Sequence, residues 1–170
     1  MIEVNFSPED MEEAIRVAKL RNDPKMEAGI KSNLFGRHKM NEATSHLNGV
    51  MAEMAAAWLV GSEIDKTSKL GGDKGAPDFW KNGLSYEVKF TGFPNGDFIV
   101  PYRDPLKFVA DIGIVVNPGN TPTRVKVMKW ITREDFLDNY HVRDYGAGDR
   151  AAISQDKMTD IEELKYNITR

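Results

Sequence analysis

Residues 76–90 read APDFWKNGLSYEVKF, and this stretch decides the fold. Asn82-Gly83 lies between two runs rich in aromatic and β-branched residues, the strongest short-range signal for a β-hairpin. A two-residue turn there predicts strands over 79–81 and 84–90. Opposed residues are then Lys81 and Leu84, Trp80 and Ser85, Phe79 and Tyr86, and Asp78 and Glu87. Directly opposed side chains share a face, with Cβ atoms about 4.5–5.5 Å apart. One face carries Phe79, Leu84, Tyr86, Val88 and Phe90 and is expected to pack on the core. The other carries Trp80, Asp78, Glu87 and, two residues on, Lys89.

Two carboxylates placed face to face repel each other. A shared proton, a basic neighbour or a metal cation must offset that repulsion. Phosphodiester hydrolysis uses such a set. Carboxylates hold Mg²⁺ or Mn²⁺, which prefer oxygen ligands. The cation lowers the pKa of water and offsets phosphate charge, and a lysine ammonium orients the nucleophile or stabilises the transition state. The same triplet also occurs on solvated strands, where the lysine only neutralises the acids.

Outward from the hairpin, the preceding segment 41–60 is expected to form a helix with Leu47, Val50, Met51, Met54 and Trp58 as its core stripe, stopped by Gly61. Glu53 lies on the flank of that stripe. Its face neighbours Gly49, Ala56 and Ala57 are small, so the helix can approach a sheet closely and aim Glu53 at the sheet edge. His46 is two turns earlier on the same side and reads more readily as a packing or surface residue than as a ligand. Between helix and hairpin, 63–67 is expected to form a short strand and 69–75 a glycine-rich loop. Its Lys74 could contact a phosphate, although the spacing is not that of a Walker loop.

Further out, Ile2, Val4 and Phe6 alternate with polar residues and predict a strand. Ser7-Pro8-Glu9-Asp10 opens a helix expected to reach about Arg21, and 22–40 reads as loop or broken helix. Downstream, strands are expected over 98–102, 112–116 and 125–130, with a short helix within 104–110 and a turn at 117–123. Thr132 to Asp135 has capping-box spacing for a helix, and a last helix is expected from Thr159.

The chain of 170 residues suits one domain over 1–170, with no repeat or linker to divide it. Its formal net charge of −3 excludes bulk electrostatic attraction to nucleic acid, so binding there needs a local basic patch or cations masking the acids. It has no cysteine, which excludes disulfides and thiolate metal sites. There is no apolar run of about 20 residues to span a bilayer and no signal pattern. The expectation is an intracellular, cytoplasmic protein with no membrane partner.

Pro77-Asp78 followed by Glu87-Val88-Lys89 resembles the PD-(D/E)XK motif of the restriction-endonuclease-like nuclease superfamily. The hairpin between its halves and the glutamate-bearing helix upstream match that setting. The resemblance covers about 41–116 and is strongest to small single-domain nucleases encoded by phages. It implies an α/β (α+β mixed-sheet) fold with an αβββαβ core and extra elements at both ends. It implies a Mg²⁺- or Mn²⁺-dependent deoxyribonuclease, endonuclease or exonuclease, using one or two ions and often a homodimer, in the host cytoplasm if phage-encoded. Asp78, Glu87 and the Val88 carbonyl would hold the first ion, Glu53 a second ion or its water, and Lys89 would position the attacking water. DNA contacts would come from Lys69, Lys74, Arg103 and Lys107. Arg124, Lys126, Lys129 and Arg133 form a second basic group that reads as a solvated face. The alternative is a catalytically silent nucleic-acid-binding or assembly protein on the same scaffold.

Overall fold

The computed structural model describes residues 1–27, 42–67 and 76–168. Lys69 and Lys74, with the whole of the glycine-rich loop 69–75 and residues 28–41, lie outside the described residues. The elements are β1 (Ile2–Asn5), α1 (Pro8–Glu27), α2 (Glu42–Leu59), β2 (Phe79–Lys81), β3 (Leu84–Phe90), β4 (Phe98–Ile99), β5 (Ile112–Pro118), β6 (Arg124–Thr132), α3 (Arg133–Asn139), β7 (His141–Asp144), β8 (Asp149–Ile153), β9 (Thr159–Asp160) and α4 (Ile161–Ile168), with 3₁₀ turns at Pro105–Lys107 and Gln155–Lys157.

The fold is mixed α/β. A six-stranded sheet runs β1-β6-β5-β3-β2, with β9 also paired to β6, and a three-stranded sheet runs β4-β8-β7. The large sheet is antiparallel except where β3 and β5 pair in parallel. The run Ile112-Gly113-Ile114-Val115-Val116 is apolar throughout because both faces of β5 are covered. Ile112, Ile114 and Val116 pack with Val17, Met51 and Ala55 of the helices. Val115 packs with Phe98, Phe108, Phe136 and Ile153 on the other side. No helix among the described residues is long and apolar enough to cross a membrane.

Local signals account for most boundaries. Ser7 caps α1: its hydroxyl accepts from the Asp10 amide at 3.1 Å, and its own amide donates to Asp10 Oδ2 at 2.9 Å. Thr132 caps α3 in the same way through the Asp135 amide at 3.1 Å. Helix α2 closes in a Schellman pattern, with Gly61 N–H on the Trp58 carbonyl and Ser62 N–H on the Ala57 carbonyl. Asn82 (φ 51°) and Gly83 (φ 79°) both take left-handed backbone, as a type I′ turn requires.

Several expectations are corrected. Helix α1 runs past Arg21 to Glu27. No strand forms over 63–67, where Asp65 instead turns on itself and accepts from Thr67 N–H at 2.9 Å. The expected strand over 98–102 is the two-residue β4 and belongs to the second sheet, and the helix expected within 104–110 is a single 3₁₀ turn capped by Asp104. Thr159 begins β9, and α4 starts at Ile161. Trp58 is 39% exposed and packs tilted at 38° against Phe6, ring centroids 5.0 Å apart, at the margin of the core. Leu84, beside the turn, is exposed too. A Cβ at Gly49 would meet nothing within 4 Å, so Gly49 does not set the helix–sheet distance; buried Ala52, Ala55, Ala56 and Ala57 face the core there.

Candidate active site

The hairpin forms in the expected register, Lys81↔Leu84, Trp80↔Ser85 and Phe79↔Tyr86. The ladder then stops, so Asp78 does not face Glu87 as a paired residue. The Asp78 amide donates to the Tyr86 carbonyl at 2.8 Å, and Tyr86 is already the partner of Phe79. Two successive residues thus oppose one, as in a β-bulge. Pro77 has no N–H to extend the ladder. The Asp78 carboxylate fills the gap: Oδ2 accepts from the Val88 amide at 2.6 Å. Among the described residues, β3 beyond Tyr86 is therefore the open edge of the sheet, and Asp78 caps it.

Glu87 and Lys89 lie on the β3 face turned toward the second sheet, beside Gly113 and Val115 of β5. Glu87 pairs directly with Gly113, and a Cβ on Gly113 would fall 2.7 Å from Phe98 Cζ and 3.2 Å from Phe108 Cζ. The bare glycine lets these rings cover β5 and brings the 100–109 segment against Glu87 and Lys89. Those two side chains are 18% and 29% exposed, so this is no solvated strand face. The Lys89 ammonium donates to Glu87 Oε1.

Glu53 arrives from α2 and is met by a residue that sequence reasoning missed. Arg21 of α1 donates through Nη1 to Glu53 Oε2 at 2.7 Å and through Nη2 to the Asp65 carbonyl at 2.5 Å. The pair is 22% and 15% exposed. The signal was present: Ala14, Val17 and Ala18 are buried at helical spacing, and Arg21 continues their stripe where an apolar residue would be expected. Ser85 and Asp111 form a second unforeseen contact at the start of β5. Asp111 Oδ2 accepts from the Ser85 amide and hydroxyl at 2.8 Å each.

Compared with protein-family models, curated proteins and solved structures, the chain matches none.

The electrostatics show that the four motif groups are neighbours. Burial, then the Glu53 and Glu87 charges, hold the Asp78 carboxyl well above its usual range, against the pull of Lys89 and the Val88 amide. Burial also raises Glu53; Arg21 opposes this, Glu87 adds to it, and Lys89 opposes it more weakly. Three carboxylates with the Val88 carbonyl are the oxygen donors that Mg²⁺ or Mn²⁺ takes. Each carboxylate nevertheless has a protein partner: Arg21 for Glu53, the Val88 amide for Asp78, Lys89 for Glu87. Accordingly, no cluster of three His, Cys, Asp or Glu side chains among the described residues stands arranged to hold a metal. The donor type fits a hard cation; the side-chain arrangement is the paired one.

The remaining candidates separate. Lys107 lines a cleft with Glu87 and Lys89, together with Tyr102 and Phe108. Arg103 lies 3.9 Å from Asp149. His46 is part-buried on α2. The second basic group is spent on local partners: Arg124 on Glu3, Lys126 on Asn120, Lys129 on Asp160 and Arg133 on the Phe108 carbonyl.

Proposed function

We propose that the protein is a metal-dependent nuclease of the restriction-endonuclease-like kind that hydrolyses DNA phosphodiester bonds. The observation that carries this reading is the convergence of Glu53 from α2, Asp78 from the bulge before β2, and Glu87 and Lys89 from β3 around one open sheet edge. Three acids meet two cations there, Arg21 and Lys89, which leaves an excess of negative charge for a metal ion to offset. The core departs from the family's expected αβββαβ order at two points: β4 pairs with β8 in the second sheet instead of following β3 in the first, and the crossover before β5 holds a 3₁₀ turn in place of a helix.

Asp78, Glu87 and the Val88 carbonyl would hold Mg²⁺ or Mn²⁺, and Glu53 would serve a second ion. The ion supplies charge neutralisation at the phosphate and a lowered pKa for the attacking water. The chain's own residues do the rest. The Val88 amide fixes the Asp78 carboxylate, and Arg21 fixes Glu53. Lys89, held by Glu87, presents an ammonium that orients water and offsets the charge developing on phosphate oxygens. Water oxygen forms the new bond to phosphorus in line with the P–O bond that breaks, and its proton passes to the leaving oxygen.

The test is cleavage of a panel of linear, nicked, branched and single-stranded DNA with Mg²⁺ or Mn²⁺, with and without EDTA. Cleavage is expected to stop with EDTA and in Asp78→Asn and Lys89→Ala. Activity that survives in both variants would overturn the site. The full pairing of the carboxylates favours a second reading, a catalytically silent nucleic-acid-binding protein on this scaffold. Tight DNA binding with no turnover on any substrate would select it.

A further inference from the structure

Two exposed aromatic residues lie near the acid–lysine pair. Trp80 is 60% exposed on the edge strand β2, and its partner Ser85 shares a face with Glu87 and Lys89. A diagonal cross-strand neighbour of this kind lies roughly 7–8 Å away, which places Trp80 beside Glu87. Tyr102 is 44% exposed and lines the cleft that Glu87 and Lys89 also line. Its backbone is fixed, because the Ala151 amide donates to the Tyr102 carbonyl at 2.8 Å and the Val100 amide to the Ala151 carbonyl at 2.9 Å. Lys107 completes the same cleft at the end of a 3₁₀ turn capped by Asp104. Neither ring has an aromatic partner among the described residues.

Single exposed apolar side chains are common on this surface, but Trp80 and Tyr102 are the exposed rings that lie beside Glu87 and Lys89, where such a ring can stack on a base. A nucleobase stacks on a protein ring only if one of its faces is free. In a continuous duplex both faces of each base are covered by neighbours, whereas unpaired bases can splay and stack. Lys107, at the cleft, supplies positive charge for the phosphates of such a strand.

We infer that single-stranded DNA is the substrate class: the strand runs over the Glu87–Lys89 site with unpaired bases stacked on Trp80 and Tyr102. This deepens the nuclease reading and takes its chemistry from it, but the binding surface is tested without cleavage.

The experiment is fluorescence anisotropy in Ca²⁺, a hard cation that masks the acids, with a labelled single-stranded oligodeoxynucleotide and a blunt duplex of the same sequence. The single strand is expected to bind at least about tenfold more tightly than the duplex. Trp80→Ala and Tyr102→Ala are each expected to weaken it about tenfold, while Trp80→Phe and Tyr102→Phe largely restore it. Lys107→Ala is expected to reduce the salt dependence by about one phosphate contact. Thermal melts of each variant separate lost stacking from lost fold. Equal binding of duplex and single strand, or folded alanine variants that bind as the parent does, would overturn the inference. Cleavage in Mg²⁺ is scored separately. Ring-dependent single-strand binding without any cleavage removes the nuclease reading and leaves this surface. Cleavage of continuous duplex, unaffected by either alanine variant, does the reverse.

Discussion

The Asp78 carboxylate accepts a 2.6 Å hydrogen bond from the backbone amide of Val88, at the point where the β2–β3 ladder has ended. One side chain thus does two jobs. It satisfies an edge amide that β2 is too short to reach, and it is locked in orientation beside Glu53 and Glu87. The two jobs separate by substitution. Asp78→Asn keeps an acceptor for Val88 and removes a buried acid, so it is expected to be at least as stable as the parent at pH 7 and inactive in cleavage. Asp78→Ala leaves the amide unsatisfied and is expected to cost about 1–3 kcal/mol in urea unfolding. Equal stability of the two variants would show that the Val88 bond contributes nothing.

Arg21 and Glu53 form a part-buried ion pair between helices. Arg21→Met and Glu53→Gln are each expected to destabilise by about 1–3 kcal/mol, because each leaves a charge without its partner. The double variant should recover part of that loss, with a coupling of about 1–2 kcal/mol. Strict additivity in the urea cycle would rule out the pairing.

Asp111 gives a pH dependence. The Ser85 amide and then its hydroxyl hold its carboxyl below the usual range, against a small burial effect and with help from Arg133. A depressed folded-state pKa stabilises the protein above the unfolded value of about 3.9, and that stability is lost as pH falls through the folded value. Asp111→Asn is therefore expected to be less stable than the parent near neutral pH, with the gap closing below about pH 4. A gap that stays constant down to acid unfolding would exclude a charged Asp111 as its source. Solvent exposure of this side chain keeps the effect modest.

Gly113 sets how closely the 100–109 segment approaches Glu87. Gly113→Ala puts a methyl 2.7 Å from Phe98 Cζ, and is expected to cost about 1–3 kcal/mol by overpacking. It should also weaken single-strand binding, because Phe108, which lies in the same cleft as Tyr102 and Lys107, must shift. Parent-like stability in thermal unfolding would mean the rings move freely.

Much of the fold was legible because its signals are local. The Asn82-Gly83 turn sets the hairpin register through two residues with positive φ, and Ser7 and Thr132 each satisfy amides within three residues. The double-faced burial of β5 was visible as an unbroken apolar run, and the motif acids and lysine were visible as a spacing. The C-terminal hairpin β7–β8 was not read, since His141–Asp144 is largely exposed and carries weak alternation.

Other features lay beyond the sequence because they depend on chain segments far apart. Arg21 reaches Glu53 across 32 positions and the Asp65 carbonyl across 44, and no local pattern encodes that meeting. The assignment of β4 to a second sheet rests on its pairing with β8. Asp78 and Glu87 were expected to be ladder partners by simple extension of the register. The bulge after Pro77 changed this, because an edge amide takes whichever acceptor reaches it, and the Asp78 side chain does. By itself the sequence determined the hairpin, the helix caps and the identity of the charged set. Only the tertiary structure decided how those charges are partnered, because burial and long-range contacts, not spacing, set the cost of each one.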